Sequence, residues 1–361
     1  MNILLDGMFY SGHGFAEGNR ILLKILKEAG HRVRIRARDR QDTNLALSPA
    51  EVEYIASCEH TELASNDLYL CYWVLDRVQL QPDFRINVTR TTFETDRVPE
   101  AWVPVLNQFD EVWVPCQFNL ATFASSGVTV PLVKMPNFFQ FDLYDVNGAK
   151  LQLPIAQSFT FLSVFDMQLR KGYDLLIEAF LNEFSSSEDA ALVLKIRESH
   201  HVERLEALIE KHNKAKETKP PVYILSQLLS TTDMLGLYRA CSAFVLPTRG
   251  EGWGRPFFEA MLMEMPVIGT NWSGQTEFMN EGNSYLVELN RLEYIHNSEF
   301  KLFDGHYWAE PSVEHLQAQM RRVYENPQEA KAKGRIARAE LMEAYDGKLK
   351  DLVLRELGKF G

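Results

Sequence analysis

Strand-like and helix-like segments alternate along almost the whole chain, and no other feature restricts the fold as much. Residues 2–5 read as a strand, and 20–29 (RILLKILKEA) as an amphipathic helix closed by Gly30. Further strands are expected at 68–75, 84–88, 111–115 and 130–135, with a helix at 99–107 among them. After Leu151-Gln152-Leu153-Pro154 the pattern restarts. Strands are then expected at 159–165, 191–196, 222–225, 243–246 and 267–269, separated by helices at 172–184, 201–212 and 232–240. Such alternation predicts parallel sheets covered by helices on both faces. A chain of 361 residues is too long for one core, so we expect an α/β protein of two doubly wound domains. The best boundary lies in 146–157, giving domains of 1–152 and 153–345. From Pro311 onward the chain reads as charged surface helices.

Composition excludes several classes. A net charge of −11 argues against general nucleic-acid binding, which needs a basic surface. The four cysteines (Cys58, Cys71, Cys116, Cys241) form no CxxC and no Cys/His cluster, which argues for reduced thiols in a cytoplasmic setting. The opening MNILLDGMFY lacks a basic segment followed by an apolar run, so no secretory signal is expected. No apolar run approaches the ~18 residues that a transmembrane helix needs.

In open parallel sheets, ligands bind beyond the carboxyl ends of the strands. Three loops in such positions carry chemistry. The first is Ser11-Gly12-His13-Gly14-Phe15-Ala16-Glu17-Gly18. A dinucleotide fingerprint would place a third glycine where Glu17 stands, which disfavours a dehydrogenase. Gly12 and Gly14 then either serve a turn needing positive φ or let a ligand approach backbone N–H groups at a helix start. The second loop, Phe165 to Gly172, sets Arg170 and Lys171 at the start of a helix whose dipole is already positive there. A bound anion would remove that conflict, although a solvated turn is the simpler alternative.

The third loop is RGEGWGRPFFEAM, residues 249–261. Gly252 and Gly254 would bare N–H groups to a ligand, and Pro256 suits the first turn of a helix. Glu259 has an ordinary explanation as a first-turn acid favoured by the helix dipole. Glu251, at a strand exit, has no such local explanation. A carboxylate there accepts two hydrogen bonds at once, which suits adjacent hydroxyls of a ribose or hexose.

Residues 248–279 (TRGEGWGRPFFEAMLMEMPVIGTNWSGQTEFM) resemble the signature of the retaining GT-B glycosyltransferases of family 4, the glycosyl transferases group 1. The resemblance rests on the Glu-x7-Glu pair within an EGxGxPxxEAM block, then PVI and a small-Gly-x-x-Glu segment. Lys171-Gly172 with Ala179-Phe180, Leu237-Tyr238 and Pro136-Asn137 extend it over most of the chain. It implies two Rossmann-like domains with an interdomain cleft, 1–152 on the acceptor side and 153–345 on the donor side. A last helix at about 346–361 would pack back on the first domain. It also implies that Glu259 holds the nucleotide ribose and Glu251 the donor sugar. The N–H groups of Gly252, Trp253, Gly254 and Arg255 would lie along that sugar, and Arg170 and Lys171 would hold the diphosphate. Two positions depart from the pattern. Asp166 stands where many relatives place a phosphate-binding arginine, with Arg170 as the replacement. The stretch Thr91-Thr92-Phe93-Glu94-Thr95-Asp96 stands where many carry a histidine, making Glu94 the candidate for sugar or acceptor contact, or else part of a structural turn.

Residues 31–40 (HRVRIRARDR) alternate arginine with apolar residues, as a half-exposed edge strand would. The alternative is a patch for a phosphorylated lipid acceptor or an anionic membrane surface, giving weak peripheral contact. The expected activity is retaining, metal-independent transfer of a hexose from a UDP-, GDP- or ADP-sugar to a carbohydrate or lipid-linked hydroxyl. No cofactor is expected, because the chain has no Asp-x-Asp to hold a divalent ion. Other readings are a sugar-nucleotide epimerase, a phosphorylase, or a catalytically silent sugar-nucleotide-binding protein.

Overall fold

The computed structural model describes residues 1–40, 47–73, 78–213 and 219–361. The end of the strand expected at 68–75 lies outside them. The chain forms two compact units, Met1–Gln140 with Tyr345–Gly361, and Phe141–Ala344. The division falls about a dozen residues before the expected 152/153. The connecting stretch belongs to the second unit for a physical reason. Leu151 N–H bonds Gly236 O at 2.9 Å, and Arg239 donates to Asp145 O at 2.7 Å and Ala149 O at 3.0 Å.

In the first unit, β1 (Asn2–Gly7) feeds α1 (Gly14–Glu28), then β2 (Arg32–Ala37), α2 (Pro49–Glu59) and β3 (Leu68–Tyr72). The chain continues through β4 (Ile86–Arg90), the short α3 (Val103–Leu106), β5 (Glu111–Val114), α4 (Gln117–Ser125) and β6 (Leu132–Lys134). Six parallel strands lie in the order β2-β1-β3-β4-β5-β6. Every residue of β3 (LYLCY) is buried, the continuous apolar run expected of a strand covered on both faces. The sequence reading missed α2, although Ser48 and Glu51 form a reciprocal capping box and Pro49 opens the helix.

The arginine-rich segment forms edge strand β2. It alternates as expected, with Val33 and Ile35 buried and Arg32 and Arg36 exposed, but several arginines in and just after it have partners. Arg38 bonds the buried Asp6 carboxylate at 2.6 and 2.8 Å, Arg36 reaches it at 3.3 Å, and Arg40 pairs with Glu59. An open cationic patch is thereby reduced, because these guanidinium groups already have carboxylate partners.

In the second unit, β7 (Phe159–Val164), α5 (Tyr173–Glu183), β8 (Ala190–Lys195), α6 (Val202–Asn213) and β9 (Val222–Leu225) come first. They are followed by α7 (Thr231–Ala240), β10 (Ala243–Leu246), α8 (Arg255–Leu262), β11 (Val267–Thr270) and β12 (Tyr285–Val287). The parallel order is β12-β11-β10-β7-β8-β9, so the side on which successive strands are added switches at the β10/β7 neighbours. The exits of β7 and β10 therefore lie side by side, the place where such sheets bind ligands. An antiparallel hairpin, β13 (Leu289–Tyr294) with β14 (Tyr307–Pro311), follows. Neither β12 nor this hairpin was expected from the sequence. Three residues give too short a run to show a period, and the hairpin register is broken by an irregularity at Leu289/Arg291. The chain ends in α9 (Val313–Glu325), α10 (Pro327–Tyr345) and α11 (Lys348–Gly358). The last is tied to the first unit by Lys350–Glu28 at 3.0 Å. Among the described residues, no helix is long and apolar enough to cross a membrane. All four cysteines are free thiols, and burial pushes Cys71 and Cys241 up to about 12.

Candidate active site

The site in the second unit starts from a glycine. Gly172 adopts φ +67, and a Cβ there would sit 1.9 Å from the carbonyl oxygen of Pro247. Only glycine lets the β7 exit loop come this close to the β10 exit. Arg249 N–H then bonds Arg170 O at 2.6 Å, and the Thr248 hydroxyl donates to the same oxygen at 3.1 Å. The Arg249 side chain is buried and braces the junction, pairing with Asp174 at 2.8 Å and Glu310 at 2.8 Å and donating to Leu169 O. Sequence reasoning passed over Arg249, although it stands two residues before Glu251.

This junction places Glu251. Its carboxylate is buried at 5% exposure and accepts from the Lys171 ammonium at 2.6 Å, with Arg170 at 3.4 Å and the Thr248 hydroxyl at 3.2 Å. Burial alone would push this carboxyl up, but Lys171 and Arg170 outweigh it and hold the group below the ordinary carboxylate range. Glu251 is thus an anion at neutral pH, shaped to accept hydrogen bonds. Arg170 is less open than a simple phosphate clamp would be. Its guanidinium is buried and donates to Gly250 O and, at 3.3 Å, to Gln168 Oε1.

Beyond Glu251 the chain turns through Gly252 and Trp253. Trp253 is buried against Phe258 and Phe278, with centroids at 5.7 and 5.1 Å, and this fixes the turn. Gly254 caps α8 in the left-handed region at φ +92, and Arg255 and Pro256 open the helix. Glu259 lies beyond the first turn, which contains no acid, so the helix-dipole explanation for it loses its footing. One oxygen accepts from the Tyr238 hydroxyl at 3.1 Å and the other faces Arg255 at 3.5 Å. Burial and Glu259 raise Tyr238 well above its ordinary value, so it stays a donor. Ser273, at φ +71, accepts from Glu251 N–H at 2.9 Å, and Gly274 N–H bonds Glu251 O at 2.9 Å. A strained serine beside the candidate acid is where functional strain concentrates, and no sequence signal reveals it.

Gly12, Gly14 and Glu94 belong to the first unit. Asp39, buried at 5% exposure, accepts from the N–H groups of Phe9, Tyr10 and Ser11 at 2.8, 3.0 and 2.8 Å. Arg20 bonds Phe9 O and Ser11 O from the other side, at 2.8 and 3.1 Å. Gly12 is exposed beyond this clamp, and Gly14 begins α1. The sequence showed Asp39 only as an acid among arginines. Glu94 is half-buried on the loop after β4, which Asn119 holds by donating to Phe93 O at 2.7 Å.

Among the described residues, one group has the composition of a metal site, Glu198, His200 and His201 after β8, with Nε2–Oε2 separations of 3.4 and 3.2 Å. Glu198 and His200 are exposed, and both histidines meet the same carboxylate oxygen, which an ordinary polar surface contact explains.

Residues 156–297 match the family model described as Glycosyl transferases group 1. An uncharacterized glycosyltransferase of Methanocaldococcus jannaschii is 30% identical over 144 residues, a stretch that is 37% of this chain and 37% of that relative. Over nearly full length the fold matches sucrose-phosphate synthase from Thermosynechococcus elongatus. That match has a TM-score of 0.71 and 16% identity, and covers 99% of this chain and 98% of that one. It also matches HepE of Anabaena in complex with UDP and glucose, with a TM-score of 0.67, 16% identity, and 99% and 100% covered. The chain thus has the α/β GT-B fold, and its second unit matches the group 1 glycosyl transferases in sequence over residues 156–297.

Proposed function

We propose that the protein is a retaining glycosyltransferase that moves a hexose from a nucleotide-diphosphate sugar to a hydroxyl of a glycan, glycolipid or small molecule. The observation that carries this reading is the buried Glu251 carboxylate, held by Lys171 and Arg170 at the β7/β10 exits. Two cations on one buried acid form a site poised to exchange partners. An arriving diphosphate takes the cations, and the released carboxylate accepts from sugar hydroxyls. Structural neighbours support the donor class, since HepE has been solved with UDP-glucose. The cytoplasmic setting inferred from four free thiols goes with it.

In the reaction, the bond between the anomeric carbon and the β-phosphate oxygen breaks, and Lys171 and Arg170 meet the charge that develops. That phosphate oxygen takes the proton of the acceptor hydroxyl, whose oxygen bonds the anomeric carbon on the same face. The protein supplies position and preorganised charge.

Incubation with UDP-, GDP- and ADP-sugars, with and without an acceptor panel, tests the reading. Nucleoside diphosphate released only with acceptor, into a product of unchanged anomeric configuration, is the expected result. Release without acceptor, a changed sugar on an intact nucleotide, phosphate-dependent cleavage, or binding without turnover would each replace it. Protein cations would serve in place of a divalent ion, so activity is expected to survive saturating EDTA. Silencing by EDTA with rescue by magnesium or manganese would reverse that expectation. Glu259→Ala is expected to weaken UDP binding by ~10- to 100-fold in calorimetry, through loss of charge-assisted bonds to the ribose. Unchanged affinity in the folded variant would assign Glu259 a structural role, with Tyr238 and Arg255 among its partners.

A further inference from the structure

Lys195 ends β8, immediately beside the loop that carries Arg170 and Lys171, and its carbonyl accepts from Phe165 N–H at 3.1 Å. The residue is 6% exposed, and its ammonium donates to Ile196 O at 2.6 Å. An ammonium has three donors, and among the described residues no carboxylate forms an ion pair with it. Asp166, the acid that bears on it, pairs instead with Arg197 at 3.4 Å. Two other cations at these strand exits differ, since the buried Arg249 has Asp174 and Glu310, and the half-buried Lys171 has Glu251.

A buried ammonium with no carboxylate in ion-pair contact is costly, and burial with Arg197 nearby lowers its pKa although Asp166 works the other way. With one hydrogen bond for three donors and no ion pair among the described residues, the ammonium has capacity for an anion. We propose that Lys195 is an anion-binding residue for a phosphate group of the donor, completing with Lys171 a pair of point charges over the exits of adjacent strands. The assignment rests on the donor reading above. It names a second strand exit, that of β8, as part of the phosphate site.

Lys195→Met keeps the volume and removes the charge. Titration of wild type and variant with UDP, with uridine and with inorganic pyrophosphate separates the phosphate from the nucleoside. The expected result is a loss of ~10- to 100-fold for UDP and pyrophosphate, with uridine affinity unchanged. The unliganded variant is expected to melt no lower than wild type, because the uncompensated charge has gone. Equal UDP affinity in the two proteins would overturn the assignment while leaving the donor reading in place. So would a fall for uridine as large as that for UDP, or a lower melting temperature without ligand, either of which makes Lys195 a structural or base-reading group. Wild type that binds none of UDP, GDP and ADP would overturn the donor reading, and this assignment with it.

Discussion

Glu251→Gln is expected to lower turnover by on the order of 10²-fold or more, while tightening rather than weakening the binding of UDP. The two halves follow from one geometry. Glutamine keeps the shape of the side chain but loses the charge that Lys171 meets at 2.6 Å and Arg170 at 3.4 Å. On the proposed reading, a diphosphate competes with Glu251 for these cations in the wild type. In the variant they are uncompensated and wait for an anion. The sugar, however, loses a preorganised ionised acceptor, so the reactive carbon is held less well.

A stability effect accompanies this. Breaking a buried ion pair from one side costs roughly 3–5 kcal/mol, so the unliganded variant should unfold at lower denaturant, with UDP restoring more than it does in wild type. Its pH dependence has a definite sign. The folded carboxyl lies below its ordinary 4.5, so the wild-type advantage is present above that value and is lost as pH falls through the depressed one. The stability gap between wild type and variant should therefore narrow in acid. Steady-state rates, calorimetry with UDP and urea titrations across pH 3–7 check these points. Weaker UDP binding with full turnover would remove Glu251 from the sugar and make it a phosphate-site scaffold.

The alternation of elements was legible because a strand buried on both faces writes itself as an unbroken apolar run, as in Ala243–Leu246. Glu251, Lys171 and Glu259 were legible as candidates, being chemically conspicuous residues next to glycines and a proline at strand exits. What could not be read was the support beneath them. Arg249 earns its place through Asp174 and Glu310, 75 and 61 residues away along the chain. Ser273 is defined by a backbone angle, and Lys195 reads as the polar end of an apolar strand until its burial without an ion pair is seen. Each of these depends on long-range packing, which no local period encodes. The alternation in β2 was legible as a half-exposed edge strand, and that is what forms. What it could not show is that Asp6, itself hidden inside β1, pairs with Arg36 and with Arg38 just beyond the strand.

Gly172→Ala is expected to be the most damaging of these substitutions to the second unit. Two costs add. A non-glycine residue held in the left-handed region loses roughly 1–2 kcal/mol. The new methyl would also stand 1.9 Å from Pro247 O and 2.8 Å from its carbonyl carbon, far inside van der Waals contact. Neither side can yield alone, because Arg249 N–H and the Thr248 hydroxyl tie the β10 exit to Arg170 O. Relief requires the two loops to part, which breaks the Lys171–Glu251 pair and removes the Arg170 bond to Gly250 O. The total should exceed about 4 kcal/mol, the range that marks a lost structural feature rather than a surface change. Gly347→Ala supplies the control. Its φ of +71 is close to the +67 of Gly172, but nothing lies within 4 Å of an added Cβ there, so it isolates the backbone cost from the clash. Denaturant unfolding of both variants, with UDP-induced shifts in melting temperature as a second readout, decides the matter. Gly172→Ala should lose the UDP shift, and Gly347→Ala should keep it. Equal midpoints for the two variants, both still stabilised by UDP, would mean that the β7 and β10 exits are not locked together and that Lys171 reaches Glu251 without that contact.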